Sequence, residues 1–307
     1  MTKQTIHTCQ ENLKLIDLDQ NLPGHTKFIG CWLWHSKDLT YIVDPGPCAT
    51  IDHLIGELKK YGVTHIDYIL LTHIHLDHAG GTAQVLKAFP DAKVYCHPLG
   101  IAHMIDPTKL WEGSRKVLGD VAQVFGEPEK ISDNCFVTEP ELNAHGIQVI
   151  MTPGHAVHHV SFVNNTILYA GEALGIRYPL KSKNLYLRLA MPPRFFPDQA
   201  LASLDRLLAL DVEPEKTAFA HYGLVNGCFE YIKKSRNQVL LWVSMVRKLL
   251  KTSPDNLEAR FHAELMCKDS LCGHPVFDEL EDDIKKRERH YLGNTIDGIR
   301  GYLISEK

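Results

Sequence analysis

Residues 72–81 read Thr-His-Ile-His-Leu-Asp-His-Ala-Gly-Gly, and they follow the apolar run Ile-Asp-Tyr-Ile-Leu-Leu at 66–71. Three imidazoles and one carboxylate therefore stand within six residues, directly after a predicted buried strand. Buried polar side chains need partners, and histidine and aspartate are common ligands of divalent metal ions. The segment predicts a metal-binding loop at a strand end and disfavours a His-rich surface turn.

Four further polar residues stand in the same setting, each at the end of a β-like run. They are Asp44, His155, Glu172 and His221. Loops at strand ends are where layered α/β proteins assemble their sites. These residues can therefore complete a two-metal site, in which a carboxylate bridges cations about 3.5–4 Å apart.

The chain around these residues alternates short apolar runs with amphipathic stretches. Strands are predicted at 12–18, 28–35, 39–43, 66–71, 94–96, 148–151, 160–163, 166–169 and 217–220, with a hairpin turn at 164–165. Helices are predicted at 51–61, 82–89, 108–125 and 198–210. This order is typical of a layered α/β domain.

After residue 228 the apolar residues fall only at helical spacing. Helices are predicted at 231–250, 254–266, 276–289 and 295–304. We therefore divide the chain into a catalytic domain at 1–228 and an all-helical extension at 229–307. We expect the extension to act as a cap or as a dimerisation element, the latter giving a homodimer.

The composition limits the classes of partner. The 307 residues are 44% hydrophobic and 23% charged, with a formal net charge of -4, so the chain has no basic footprint for nucleic acid. Residues 1–7 lack the pattern of a secretion signal, and no apolar run reaches the about 18 residues of a membrane span. We expect a cytoplasmic protein that binds neither nucleic acid nor membrane.

The motifs in this order resemble those of the metallo-β-lactamase superfamily over roughly residues 10–225. The resemblance implies a four-layer αββα sandwich, followed here by the helical extension. It implies one metal ion held by His73, His75 and His155 and a second held by Asp77, His78 and His221, with Asp44 orienting the metal loop. Zinc is the favoured metal, with iron or manganese as alternatives.

One position departs from the family pattern. The superfamily usually has aspartate as the bridging carboxylate, whereas this chain has Glu172, which is one methylene longer. Glutamate can still bridge two metal ions, but the longer side chain puts the occupancy of the second site in question. The assignment of Glu172 as a metal ligand and catalytic residue is therefore an expectation to test.

The resemblance also narrows the reaction. His75 stands where flavodiiron enzymes carry glutamate, and the chain lacks the basic arm of the nuclease members. The run Asp-His-Ala-Gly-Gly at 77–81 is similar to glyoxalase II, and the segment Gly-Glu-Ala-Leu-Gly at 171–175 with its helical tail resembles thioesterases of 2-aminobenzoylacetyl-CoA. The expected activity is hydrolysis of a small thioester, ester or lactone, with an acyl-CoA thioester favoured.

The expected mechanism is attack by a metal-bridging hydroxide on the carbonyl carbon. Asp77 is expected to relay a proton, and Tyr222 to help bind the oxyanion or to be a buried core residue. The segment 177–196 is expected to form a substrate lip or a loop packed under the helical tail. Its predicted substrate-binding residues are Arg177, Tyr178, Arg188, Arg194 and Phe195.

Two other functions stay open from the sequence. The first is an iron-dependent persulfide dioxygenase, which resembles the glyoxalase-like members and uses only the metal held by His73, His75 and His155. The second is a ligand-sensing or partner-binding protein without catalytic activity, if Glu172 prevents formation of the two-metal centre. Metal content and a panel of thioester substrates distinguish the three hypotheses.

Overall fold

A computed structural model describes residues 6–182 and 184–305. Residues 1–5, which contribute to the expectation about secretion, and Lys183, within the expected lip, lie outside the described residues. Two mixed β-sheets face each other in this structure, and helices cover their outer faces. Within the described ranges, no helix has the length and apolar character needed to cross a membrane.

The first sheet is antiparallel over its first strands and parallel over its last ones. Its strands, in spatial order, are β1 (Ile6–Gln10), β2 (Leu13–Asp17), β3 (Gly30–His35), β4 (Thr40–Val43), β5 (Tyr68–Leu70) and β6 (Lys93–Tyr95).

The second sheet is built from β7 (Ile147–Met151), β8 (Val160–Asn164), β9 (Ile167–Gly171), β12 (Lys216–Phe219) and β13 (Gly223–Asn226), in the order β13-β12-β9-β8-β7. Between them in sequence, β10 (Ile176–Pro179) and β11 (Leu185–Arg188) form a separate antiparallel hairpin. The predicted turn between β8 and β9 is confirmed, with Asn165 in the left-handed region at φ 52°.

The helices fall into two groups along the chain. Those of the first part are α1 (Ile51–Lys60), α2 (Leu76–Ala79), α3 (Thr82–Ala88), α4 (Pro98–Ile105), α5 (Thr108–Leu118), α6 (Asp120–Phe125), α7 (Glu139–Ala144) and α8 (Pro197–Leu208). The C-terminal helices are α9 (Phe229–Thr252), α10 (Leu257–Lys268) and α11 (Asp282–Ser305).

Alternation along the strands explains the layers, because successive side chains of a strand point to opposite faces. In β4, Tyr41 packs between the two sheets, whereas Ile42 packs with α1 on the outer face of the first sheet. In β9, Tyr169 packs between the sheets, whereas Leu168 packs with the helices outside the second sheet. The predicted αββα sandwich is confirmed.

Two helix predictions were wrong. The stretch 108–125 forms α5 and α6 instead of one helix, because Gly119 between them adopts a φ of 56° that ends the helical path. The stretches 276–289 and 295–304 do not form separate helices, since α11 runs without a break from Asp282 to Ser305. The helix at 98–105 had no counterpart in the sequence prediction.

The helical extension shares a core with the α/β layers. Trp242 of α9, Phe261 of α10 and Ile299 of α11 pack in the same buried cluster as Leu204 of α8 and Phe219 of β12. The extension therefore forms the outer layer over the second sheet. Its expected roles as a cap or a dimer interface remain predictions.

Candidate metal centre

The topology brings the predicted ligands to one edge of the sandwich. β4 runs parallel to β5, and β9 runs parallel to β12. The carboxyl ends of these strands therefore point the same way, and β7, two antiparallel steps from β9, points with them. The residues that follow these strand ends, including the loop at 72–81, meet at this edge.

The first donor group contains three imidazoles and a carboxylate. Nε2 of His73 and Nε2 of His155 each lie 3.0 Å from Nδ1 of His75. Oε2 of Glu172 lies 2.8 Å from Nε2 of His155 and 3.2 Å from Nε2 of His73. One ligand atom from each of these four residues lies within 4.8 Å of the others.

The second donor group contains Asp77, His78 and His221. Nε2 of His78 and Nε2 of His221 are 3.1 Å apart, and Oδ2 of Asp77 lies 3.6 Å and 3.5 Å from these two atoms. The grouping is the one that the family resemblance implies. Both imidazoles are buried, whereas Asp77 is partly exposed.

Glu172 lies between the two groups. Besides its contacts with the first group, its Oε2 lies 3.6 Å from Nε2 of His78, and its Oε1 lies 3.6 Å from Nε2 of His221. The longer side chain therefore reaches both groups. This is the position that a bridging carboxylate occupies in a two-metal centre.

The spacing of the donor atoms fits tetrahedral coordination. Metal–nitrogen bonds of about 2.0–2.1 Å at tetrahedral angles separate neighbouring donors by about 3.3–3.4 Å. The contacts of Glu172 with His73, His155 and His221, together with that between His78 and His221, span 2.8–3.6 Å. Imidazole and carboxylate donors suit zinc, iron or manganese, so the residues present fit two divalent metal ions.

The second ring nitrogen of each buried ligand is held by an oxygen acceptor. Nδ1 of His155 lies 2.9 Å from the Ala190 carbonyl, and Nδ1 of His221 lies 2.8 Å from the Phe28 carbonyl. Since a carbonyl only accepts, each Nδ1 carries the proton. Each Nε2 then presents its lone pair to the centre, which is the tautomer that a metal ion requires.

Asp44 performs the same task for His78. Its Oδ2 lies 2.9 Å from Nδ1 of His78 and accepts from the Thr72 hydroxyl at 2.7 Å, while its Oδ1 accepts from the Thr72 amide at 2.8 Å. Asp44 adopts a φ of 54°, a region that aspartate tolerates better than most residues. The predicted orienting role of Asp44 thus has a geometric basis.

His159, which was not among the predicted site residues, contacts the backbone of Glu172. Nε2 of His159 accepts from the Glu172 amide at 3.0 Å, and its Nδ1 lies 2.9 Å from the Thr152 hydroxyl. Gly171 makes room for this imidazole, since a Cβ at that position would lie 2.5 Å from Nε2 of His159. The sequence clue was the pair His158-His159, three and four residues after a predicted ligand.

In the first group the electrostatics favour the metal-binding forms of His73, His75 and Glu172. Burial acts to lower the pKa of His155, but the Glu172 carboxylate outweighs it and raises this pKa above its ordinary value. Burial, with the neighbouring His155 imidazole, lowers the pKa of His75 to about 3, and burial holds the pKa of His73 well below its usual value. Burial acts to raise the pKa of Glu172, but the imidazoles of His155, His73 and His78 outweigh it and hold this pKa well below its usual range. Neutral imidazoles next to an ionised carboxylate are the forms that bind metal.

The pKa of His78, in the second group, is shifted upward. Burial disfavours its protonated form, yet the carboxylates of Asp77 and Asp44 raise the pKa of His78 well above its ordinary value. A proton on His78 therefore neutralises part of the buried negative charge. A cation bound at the second group replaces this proton.

The accessible side of the centre is formed by His75 and Asp77, because the other ligands are buried. Behind His155 and Glu172 lies a cavity of about 10 Å³, room for one water molecule. Phe195 lines this cavity together with Leu189 and Val239 of α9. The donor atoms are therefore reached from solvent on the His75 and Asp77 side.

Part of the segment predicted as a substrate lip or loop forms strands, whereas residues 189–196 form neither helix nor strand. Ile176–Pro179 and Leu185–Arg188 pair as the hairpin β10–β11, and Arg188 is buried at 1% exposure, with its Nε on the Glu288 carboxylate of α11. The prediction that Arg188 binds substrate was therefore wrong. The alternating pattern of the hairpin, with Tyr186 and Arg188 in contact with α11, explains why this segment is ordered.

The predicted oxyanion role of Tyr222 is also not supported by the structure. Its hydroxyl donates to the Asp17 carboxylate, and its ring packs between the two sheets. The alternative expectation of a buried core tyrosine describes this position. The residues next to Tyr222 in sequence give no indication of this contact, because Asp17 and Tyr222 are 205 residues apart.

The other lip residues have different surroundings. Arg177 is partly buried, and its NH1 donates to the Tyr222 carbonyl at 3.1 Å. Tyr178 is partly buried on the hairpin, with the Arg287 guanidinium 5.8 Å from its ring. Arg194 is exposed, and Phe195 is buried beside the centre.

Comparison with known proteins agrees with this geometry. A family model described as the metallo-β-lactamase superfamily matches residues 28–221. A metallo-β-lactamase fold-containing protein of Sulfurisphaera tokodaii is 33% identical over 199 residues, which cover 62% of this chain and 71% of that protein. A hydroxyacylglutathione hydrolase of Aeromonas hydrophila is 28% identical over 249 residues, covering 77% of this chain and 81% of that protein.

Solved structures show the same fold. An archaeal metallo-β-lactamase superfamily protein from Sulfolobus tokodaii superposes with a TM-score of 0.67 at 21% identity, covering 95% of this chain and 99% of that chain. A metallo-β-lactamase family protein from Thermus thermophilus superposes with a TM-score of 0.62 at 19% identity, covering 96% and 94%. The chain belongs to the metallo-β-lactamase superfamily and is a distant homologue of hydroxyacylglutathione hydrolase.

Proposed function

We propose that this protein hydrolyses the thioester bond of a small acyl thioester at a two-metal centre. The observation that carries the proposal is the position of Glu172, whose two carboxylate oxygens reach both donor groups. The similarity to hydroxyacylglutathione hydrolases supports a thioester in particular. Esters and lactones present the same carbonyl chemistry and are the next substrates to test.

The residues of the chain have separate tasks in this reaction. When bound, two divalent cations supply Lewis acidity at the substrate carbonyl and lower the pKa of a water molecule toward neutrality. The five histidines would hold these cations through ring nitrogens, and oxygen acceptors set the ring orientation of His155, His221 and His78. Glu172 keeps the two donor groups in register.

Asp77 is the acid that faces the substrate. Its side chain is 19% exposed, compared with 7% for Glu172, so it is the more open carboxylate of the centre. It is placed to take the proton released by the attacking water and to pass it to the departing sulfur. A thiolate leaves readily, so this transfer contributes less than it would for an alkoxide.

Assays with different thioesters identify the thiol to which the acyl group of the substrate is attached. The expectation of a CoA thioester came from the resemblance to 2-aminobenzoylacetyl-CoA thioesterases, and one of the arginines expected to bind substrate, Arg188, is paired with Glu288 instead. Glutathione thioesters and CoA thioesters are therefore compared directly. Because the accessible ligands are His75 and Asp77, we expect a substrate whose acyl group is small enough to approach this side.

A persulfide dioxygenase fits the structure less well. That reaction uses a single iron held by the first donor group. Here the second group has its own buried histidines, His78 and His221, each with an oxygen acceptor on the opposite ring nitrogen. A second site built to this degree favours hydrolysis.

The test combines thioester cleavage with metal analysis in His75→Ala and Asp77→Asn. We expect both variants to lose turnover, with metal lost from the first group in His75→Ala and from the second in Asp77→Asn. His53→Ala, on the exposed face of α1, is the matched control. Unchanged turnover in both variants, or oxygen uptake with glutathione persulfide in place of thioester cleavage, contradicts the proposal.

A further inference from the structure

The C-terminal helix α11 carries a buried ion-pair cluster that faces the α/β layers. Arg287 and Glu288 are 5% and 0% exposed, and Arg188 of the hairpin is 1% exposed. Nε of Arg287 donates to Oε1 of Glu288 at 3.0 Å, while the other carboxylate oxygen accepts from the Tyr186 hydroxyl at 2.7 Å and from Arg188. The Glu288 carboxylate pairs with both guanidinium groups through its two oxygens, which holds the guanidinium of Arg287 in place.

Arg287 also binds the loop between β2 and β3. Its NH1 donates to the Gly24 carbonyl, and the Gly24 amide donates to Oδ2 of Asp283 at 2.9 Å. A Cβ on Gly24 would lie 2.7 Å from the Asp283 carbonyl oxygen, so this loop approaches α11 too closely for a side chain. The amide nitrogen and the carbonyl oxygen of Gly24 therefore both bind this loop to the helical extension.

The same loop holds the second-site ligand His221 through Phe28. The Phe28 carbonyl accepts from Nδ1 of His221 at 2.8 Å, and the two rings stack with centroids 4.4 Å apart at 29°. The Arg287 guanidinium carbon lies over the Phe28 ring, 3.9 Å from its centroid. Two groups this close to one centroid cannot share a face, so the Phe28 ring is held between Arg287 and His221.

We propose that Arg287 is a positioning residue for the second metal site, acting on His221 through Phe28. The helical extension then has a task in the metal centre itself. Arg287 holds the Phe28 ring by cation–π contact and holds its loop at Gly24, and Phe28 sets the direction of the His221 imidazole by stacking and by its carbonyl. Loss of the guanidinium removes the cation–π contact with the ring and one of the two hydrogen bonds at Gly24 together.

Arg287 is expected to act on the second donor group and not on the first. His221 lies in that group. In the first group, Nδ1 of His155 is held by the Ala190 carbonyl. The described hydrogen bonds of Arg287 do not include Ala190. We therefore expect a substitution at Arg287 to lower the metal affinity of the second group and to leave that of the first group unchanged. A merely structural role for Arg287 would weaken both affinities through loss of the fold.

The test is a zinc titration of the full chain in Arg287→Gln, Phe28→Leu and the control Arg300→Gln, with a competing chromogenic chelator. Arg300 lies on the same helix but is exposed and paired with Asp297. We expect both test variants to bind the second zinc ion about 10- to 100-fold more weakly, as for the loss of other groups that orient metal ligands. The first zinc ion should bind with unchanged affinity, and Arg300→Gln should match the parent protein.

Phe28→Leu protects the test against a folding defect of Arg287→Gln, because it leaves the ion-pair cluster and the backbone carbonyl in place. Selective loss of the second zinc ion in Phe28→Leu supports the proposal even if Arg287→Gln does not fold. Unchanged binding of both zinc ions, or equal weakening of both, overturns it. The inference rests on the two-metal centre of the proposed function, but the titration uses zinc alone, so a failure of thioester hydrolysis leaves this readout intact.

Discussion

The backbone amide of Glu172 donates a hydrogen bond to Nε2 of His159, 3.0 Å away. Both residues are buried, and His159 in turn contacts the Thr152 hydroxyl through Nδ1. Glu172, the proposed bridging carboxylate, is therefore held from its own backbone by an imidazole outside the two donor groups. This contact shows how a glutamate can replace the usual aspartate without losing a defined position.

His159→Ala tests that contact. The substitution leaves the buried Glu172 amide without a partner, which costs about 1–3 kcal/mol of stability. We expect urea unfolding of the metal-free protein to show this loss, and zinc analysis to show weaker retention of the metal ions. His53→Ala on the exposed face of α1 should change neither quantity. A His159→Ala protein as stable as its parent would contradict the role of His159.

Glu172→Gln tests the bridge. The amide keeps the length of the side chain but removes the negative charge that both donor groups face. We expect at least the second zinc ion to be lost on dialysis and thioester turnover to fall by two orders of magnitude or more, about 3 kcal/mol in the activation barrier. Full zinc content with full turnover would show that Glu172 does not bridge.

Asp44→Asn tests the orientation of His78. An asparagine side chain has one acceptor oxygen, whereas Asp44 accepts from the Thr72 amide, the Thr72 hydroxyl and Nδ1 of His78. We expect the affinity of the second zinc ion to fall about 10- to 100-fold. The measurement is the same zinc titration, with the exposed Asp52→Asn as control. Equal affinities in the two variants would rule out this role.

Glu288 gives a prediction for acid stability. Burial acts to raise its pKa, but Arg188 and Arg287 outweigh burial and lower it from 4.5 to about 2. A carboxyl group with a lowered folded-state pKa stabilises the fold above its unfolded pKa, and this contribution is lost as the pH falls from about 4.5 to about 2.

The variant Glu288→Gln isolates that contribution. At neutral pH it leaves two buried guanidinium groups without their carboxylate, which costs about 3–5 kcal/mol. We expect the difference in unfolding free energy from the parent protein to shrink as the pH falls through this range, since the parent carboxyl group then becomes neutral as well. A difference that stays constant between neutral and acidic pH would contradict the ion-pair account.

The parts of the structure that the sequence predicted are those determined by local patterns. The period of two along β4 and β9 defines the sandwich, and the ligands follow strand ends that the same pattern locates. The hairpin turn at Asn165 was predicted because an Asn-Asn pair tolerates left-handed backbone. In these cases the information lies within a few residues of the feature.

The parts that the sequence did not predict depend on contacts between distant segments. Arg188 resembled a substrate-binding arginine until its partner Glu288, 100 residues away, was known. The bond between the Tyr222 hydroxyl and Asp17, and that between Arg287 and Gly24, span 205 and 263 residues. Side-chain chemistry alone does not distinguish a buried partner of this kind from a ligand in solution.

We expect a requirement for two metal ions, joined by Glu172, in thioester hydrolysis. It is tested most directly by adding zinc stepwise to the metal-free protein and measuring cleavage of a hydroxyacylglutathione and an acyl-CoA thioester at each step. We expect turnover of at least one of the two thioesters to rise in proportion to the second zinc ion bound per chain. Full turnover with a single zinc ion, or no cleavage of either thioester with both zinc ions bound, would contradict it.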